Sequence, residues 1–93
     1  MPTLQNKVAI VTGAGRGIGR AIALAFAGAG ATTVAVARSA QGIESLAAEI
    51  HAAGGSALAI PADVSKDTDI SRMVATTLAR FGGVDLLVNN AAI

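Results

Sequence analysis

The chain has no cysteine, no tryptophan and no tyrosine, and only two phenylalanines and one histidine among its 93 residues. Without cysteine there are no disulfides and no thiolate metal sites, which fits a reducing compartment. A single histidine, with no second His, Cys or acid cluster beside it, makes no metal site. His51 falls near the end of an expected helix, where a partial positive charge suits the dipole, so it reads as a surface residue. Charge is scarce too: Asp, Glu, Lys and Arg make up 14% of the chain and leave a net charge of +1. No basic field exists to attract nucleic acid, and none is expected as a partner. Nor is a membrane expected. Ala21 to Ala37 is uncharged over seventeen residues, short of the ~20 a spanning helix needs. Gly28 and Gly30 interrupt it, and its period changes, as in a helix followed by a strand. Met1 to Lys7 has no apolar signal-peptide core, so the expected location is cytoplasmic.

What the chain does have is small aliphatic bulk. It is 53% hydrophobic, nearly all Ala, Val, Ile and Leu, a composition suited to thin α/β layers. Ninety-three residues make one small domain or part of a larger one. Such a chain buries roughly 60–65% of its unfolded surface.

The organising stretch is Thr12-Gly13-Ala14-Gly15-Arg16-Gly17-Ile18-Gly19. It follows an apolar run, Val8 to Val11, and opens a helix-period segment near Ile18. Glycines between a strand and a helix let main-chain N–H groups approach a phosphate with no Cβ in the way. The loop therefore reads as a pyrophosphate cradle. Its pattern is T-G-x-x-x-G-x-G, with Ile18 where G-x-G-x-x-G would place its third glycine.

Along the chain, Lys7 to Thr12 reads as a first strand, apolar on both faces. Ile18, Ala21, Ile22, Ala25, Phe26 and Ala29 mark one face of a first helix, stopped by Gly28 and Gly30. Thr32 to Ala37 is a second strand. Ser39 caps a second helix with the face Ile43, Leu46, Ala47 and Ile50, ended by Gly54-Gly55. Ser56 to Ile60 is a third strand, ending at Pro61. Ser65 caps a third helix with Asp67 and Asp69 in its first turn. Its expected buried stripe is Ile70, Met73, Val74, Leu78 and Phe81, with Arg72, Thr76 and Arg80 facing out. Gly82-Gly83 ends it, and Val84 to Val88 is a fourth strand. The order β-α-β-α-β-α-β with short connections implies right-handed crossovers and a Rossmann-type, doubly wound parallel sheet. The expected strand order is 3-2-1-4, with a crevice between strands 1 and 4.

Further candidate residues cluster at the strand ends. An acid after strand 2 would hold the two adenosine ribose hydroxyls of NAD. The chain has Arg38-Ser39 there, and Arg38 suits a 2′-phosphate. Arg16 adds a second positive charge, so NADP is expected over NAD. Asp63 after strand 3 is placed to accept from an adenine amino group, with the Val64 N–H facing a ring nitrogen. The competing reading is that Asp63 only closes a turn after Pro61. Asn89-Asn90 after strand 4 either ties the switch-point loops together and touches a ribose or is a simple turn pair.

Together, Thr12 to Gly19, Asp63-Val64 and Asn89-Asn90-Ala91-Ala92 resemble the N-terminal, cofactor-binding part of the short-chain dehydrogenase/reductase family. The resemblance covers essentially the whole chain and departs from the family's Asn-Asn-Ala-Gly at Ala92. It implies cofactor contacts from Thr12, Gly13, Gly15, Arg16, Gly17, Ile18, Gly19, Arg38, Ser39, Asp63, Val64, Asn89 and Ala91. It also implies an oxidoreductase moving hydride between NADP(H) and a carbonyl or alcohol, with full-length members forming homo-oligomers. The family's catalytic Ser and Tyr-x-x-x-Lys lie beyond the matched segment. This chain has no tyrosine, and its only lysines are Lys7 and Lys66. Residues 1–93 are thus expected to be a single incomplete domain, inactive alone. Its apolar fourth strand would be an exposed edge prone to self-association. The alternative is a non-catalytic nucleotide-binding or assembly module. An S-adenosylmethionine site is disfavoured by the missing acid, and a P-loop by the missing Gly-Lys-Ser/Thr.

Overall fold

The computed structural model describes residues 4–90. Four strands and three helices alternate: β1 (Val8–Thr12), α1 (Gly17–Gly28), β2 (Thr32–Ala37), α2 (Ala40–Ala52), β3 (Ser56–Pro61), α3 (Asp67–Phe81) and β4 (Leu86–Asn89). All pairings are parallel, in the order β3-β2-β1-β4. This is the order expected of a truncated Rossmann sheet. Helices cover both faces of β1, which is why it can be apolar up to Thr12; all five of its residues are buried.

Strand alternation divides the core in two. Val11, Ala35 and Ala57 face α1 and α2, where they meet Ala23, Ile43, Leu46 and Ile50. Val8, Ile10, Val34, Val36 and Ile60 face α3, where they meet Met73, with Val74 and Phe81 packed at the margin. The result is three layers, helices against sheet against helix.

Several local expectations need correction. In α1 the buried residues are Gly19 and Ala23, with Ile22, Phe26 and Ala27 partly buried against them. Ala21 and Ala25 are exposed, and Ile18 is 74% exposed. The stripe is turned because α1 is apolar nearly all round, so periodicity alone leaves its phase open. In α3 the buried residues are Met73 and Thr77. Thr77 satisfies its hydroxyl by donating to the Met73 carbonyl at 2.8 Å, while Ile70 and Leu78 are 37% and 47% exposed.

Strand 4 begins at Leu86 rather than Val84 because Asp85 closes the register on Val8. The Val8 N–H donates to the Asp85 carboxylate at 2.8 Å, and the Asp85 N–H donates to the Val8 carbonyl at 2.8 Å. Lys66, not Ser65, is the N-cap of α3, because the Ser65 hydroxyl is turned to Asp63. His51 is exposed as expected, yet its ring is engaged. Nε2 lies 2.9 Å from the Ala57 carbonyl and 3.3 Å from the Ala57 N–H, covering main-chain groups on the outer edge of β3.

Candidate nucleotide-binding cleft

At the carboxyl ends of the strands an open cleft of about 920 Å³ collects residues from every βα connection and from the end of β4. Its floor is the glycine loop. Gly13 and Gly17 have φ of 64° and 61°, a left-handed conformation that a side chain would strain. A Cβ on Gly19 would collide with the Gly13 carbonyl oxygen and come within 2.6 Å of the Asn90 amide. Gly19 thus lets α1 start hard against the end of β1. The first turn of α1 holds no acid, and its N-cap, Arg16, makes no side-chain cap. That turn therefore presents main-chain N–H groups and the positive end of the helix dipole toward the loop.

Gly13, Gly15, Arg16, Gly17 and Ile18 all line the cleft. Ile18, expected on the buried face of α1, instead presents its side chain at the cleft rim. From the end of β2 come Arg38 and Ser39, both lining the same space. Ser39 is the N-cap of α2 as expected, but its side chain makes no cap bond and is left facing the cleft.

Asp63 and Val64, after β3, line the same cleft. One Asp63 oxygen accepts from both the Ser65 N–H at 2.9 Å and the Ser65 hydroxyl at 2.6 Å. The Ser65 bonds hold the Asp63 carboxyl below its ordinary value of 3.8, with smaller help from the Arg38 and Lys66 charges. One Asp63 oxygen thus closes the turn, as the simpler reading expected, while the residue also lines the cleft.

Thr12, Gly19 and Asn89 do not line the cleft; they brace it. The Thr12 hydroxyl lies 3.1 Å from the Asn89 carbonyl oxygen of the side chain and 3.3 Å from the Val88 carbonyl, and it accepts from the Asn90 N–H at 3.0 Å. These contacts tie the ends of β1 and β4 together at the switch point. Asn90 is the residue of the pair that reaches the cleft, and its amide lies 3.4 Å from the Gly13 carbonyl. Ala91, and with it Ala92, lies outside the described residues. Val36, Ala37, Gly42, Ala62 and Ser65 also line the cleft, though the sequence did not single them out as site residues; Gly42 is the most informative. A Cβ there would sit 2.7 Å from the Gly15 carbonyl oxygen, so α2 packs directly on the loop. No spacing rule announces this contact.

The chemistry of the donor set fits a dinucleotide. A Cβ-free main-chain cradle suits a pyrophosphate, two arginines suit a further phosphate, and a carboxylate on the same cleft suits an amino group. Among the described residues no group of three or more His, Cys, Asp or Glu could hold a metal. No described helix is long and apolar enough to cross a membrane.

A family model described as short chain dehydrogenase matches residues 7–93. The chain is 43% identical to the ketoacyl reductase HetN of Nostoc over its whole length, covering 32% of that protein. It is 46% identical to the short-chain dehydrogenase/reductase homolog YusS of Bacillus subtilis, with 95% of the chain covering 82% of that protein. Among solved structures, a metagenomic short-chain oxidoreductase in complex with NADP superposes with a TM-score of 0.91 at 42% identity, over 97% of this chain and 41% of that one. The chain spans only 25 to 38% of the length of the first curated relatives it matches.

Proposed function

This chain belongs to the short-chain dehydrogenase family, and from that premise we propose that residues 1–93 form the NADP-preferring, dinucleotide-binding part of an oxidoreductase. The reaction is hydride transfer between NADP(H) and a carbonyl or alcohol substrate. When bound, the cofactor supplies or accepts the hydride; this chain's residues hold and orient it. Gly13, Gly15 and Gly17 and the first turn of α1 receive the pyrophosphate on main-chain N–H groups. Arg38, Ser39 and Arg16 take the 2′-phosphate, Asp63 and Val64 the adenine, and Asn90 and Ala91 the switch-point side toward the second ribose, with Thr12 and Asn89 bracing that end from behind. Catalysis is not assigned to any residue of this chain, which has no tyrosine. On this reading it acts as one incomplete domain.

The observation that carries the cofactor preference is the pair Arg16 and Arg38 on one cleft, with no carboxylate at the end of β2. The complex of the metagenomic relative with NADP supports the same choice. Titration of the chain with NADPH and NADH tests it. Arg38→Asp should erase the preference for NADPH, a loss of roughly ten- to a hundredfold in relative affinity. An undiminished preference in the variant would remove Arg38 from the reading.

A second reading has its own support in the near-complete coverage of YusS. On that reading the chain is a non-catalytic nucleotide-binding or assembly module. NADPH binding with no reductase turnover by the purified chain would favour the module. Self-association fits both readings, given the open edge of β4 and the exposed apolar residues Val84 and Leu87 before and within that strand.

A further inference from the structure

The turn that carries Asp63 is held by α3, which has no other part in the cleft. The Asp63 N–H donates to the Asp69 carboxylate at 2.7 Å. The Arg72 guanidinium donates to the Pro61 carbonyl at 2.6 Å and stands 3.9 Å from the other Asp69 oxygen. From the sheet side, the Ala62 N–H donates to the Ala37 carbonyl at 2.9 Å. The segment from Pro61 to Asp63 is therefore pinned to β2 behind and to one turn of α3 in front. Asp69 is the third helical residue of α3, where a carboxylate in a capping box would reach back to the N-cap N–H. Here it reaches three residues further and takes the main chain of a cleft residue. Asp69 and Arg72 do not line the cleft themselves.

We propose that Asp69, supported by Arg72, is a positioning residue for base recognition: it fixes the main chain of Asp63 so that the Asp63 carboxylate meets the amino group of an adenine and discriminates against a purine with a carbonyl in its place. The proposal rests on the reading of the cleft as a dinucleotide site. It assigns the selection of the base to a residue on α3, separately from the arginines that select the phosphate.

Four probes separate the effects: 5′-AMP, 5′-IMP, 2′,5′-ADP, and amide hydrogen exchange at Asp63 without nucleotide. An acceptor carboxylate in place should favour AMP over IMP by about tenfold in the unmodified chain. Asp69→Ala should bring that ratio close to one and speed exchange at Asp63. Asp69→Asn retains a carbonyl acceptor for the Asp63 N–H and should retain both the ratio and the slow exchange. Arg72→Ala should lower the ratio partway. The preference for 2′,5′-ADP over AMP should stay the same in all three variants, because Arg16 and Arg38 sit on other connections. A role confined to stabilising α3 would change unfolding but leave the AMP to IMP ratio intact, and that result overturns the proposal. So does a loss in Asp69→Asn as large as in Asp69→Ala. If Asp69→Ala fails to fold, an unchanged ratio in Arg72→Ala overturns it instead. Should the unmodified chain bind AMP and IMP equally, the adenine reading of Asp63 fails and base positioning fails with it. Should it bind 2′,5′-ADP no better than AMP, the cofactor preference fails on its own.

Discussion

The two faces of the sheet are covered to different degrees. On the α1 and α2 side, Val11, Ala35, Ile43 and Leu46 are completely buried, and two helices span three strands. On the other side α3 works alone. Met73 and Thr77 are buried beneath it, but Ile70 and Leu78 on its flank stay exposed. Leu87, paired with Ile10 in the sheet and so on this same face, is 61% exposed. The cleft draws on both faces: the glycine loop leans on α1 and α2, and the Asp63 turn leans on α3. A binding site can thus be fully braced while the apolar layer beneath one wall is only partly covered.

The largest effect should come from the complete face. Leu46→Ala removes a fully buried side chain and should cost about 2–5 kcal/mol in urea or thermal unfolding. Leu78→Ala removes the same atoms from a half-exposed site and should cost well under half as much. Equal losses would break the contrast between the faces.

Leu87→Lys should change unfolding little and reduce self-association, read by sedimentation velocity as a shift toward the monomer. Undiminished association would move the contact away from the open side of β4.

The smallest effect lies at the foot of α3. The Asp63 carboxyl is held below 3.8 by its Ser65 bonds. A lowered folded value means its contribution is complete above the unfolded value and fades as pH falls through the folded one. Ser65→Ala should therefore differ in stability from the unmodified chain above about pH 4 and converge with it in stronger acid. Asp63 is solvent-facing, so the difference is slight. A gap that persists undiminished to pH 2 would detach the stabilisation from Asp63 ionisation.

Much of the fold was legible in the sequence because its signals are local. Glycine clusters punctuate the chain between apolar runs, and the face of α2 follows its periodicity at Ile43, Leu46, Ala47 and Ile50. In the cleft, the glycine loop, Arg38-Ser39 and Asp63-Val64 were each legible from residue type after a strand, and they converge on one space. The phase of α1 was not legible, since alanines on every side give no preferred stripe. Nor was the outward turn of Ile70 and Leu78, because an apolar residue at helical spacing does not reveal whether anything lies opposite it. Ser65 carries a cap residue's chemistry, but its hydroxyl is turned away from the helix to donate to Asp63.

By itself the sequence determined where the backbone turns and which segments extend or coil. Those choices depend on glycine, proline and side-chain pattern within a few residues, and right-handed crossovers then leave little freedom in strand order. Only the tertiary structure decided the contacts between segments distant in the chain: Gly42 against Gly15, Asp85 against Val8, and the Thr12 hydroxyl between the ends of β1 and β4. Each depends on how closely two backbones approach, a distance set by packing the whole core and encoded at no single position.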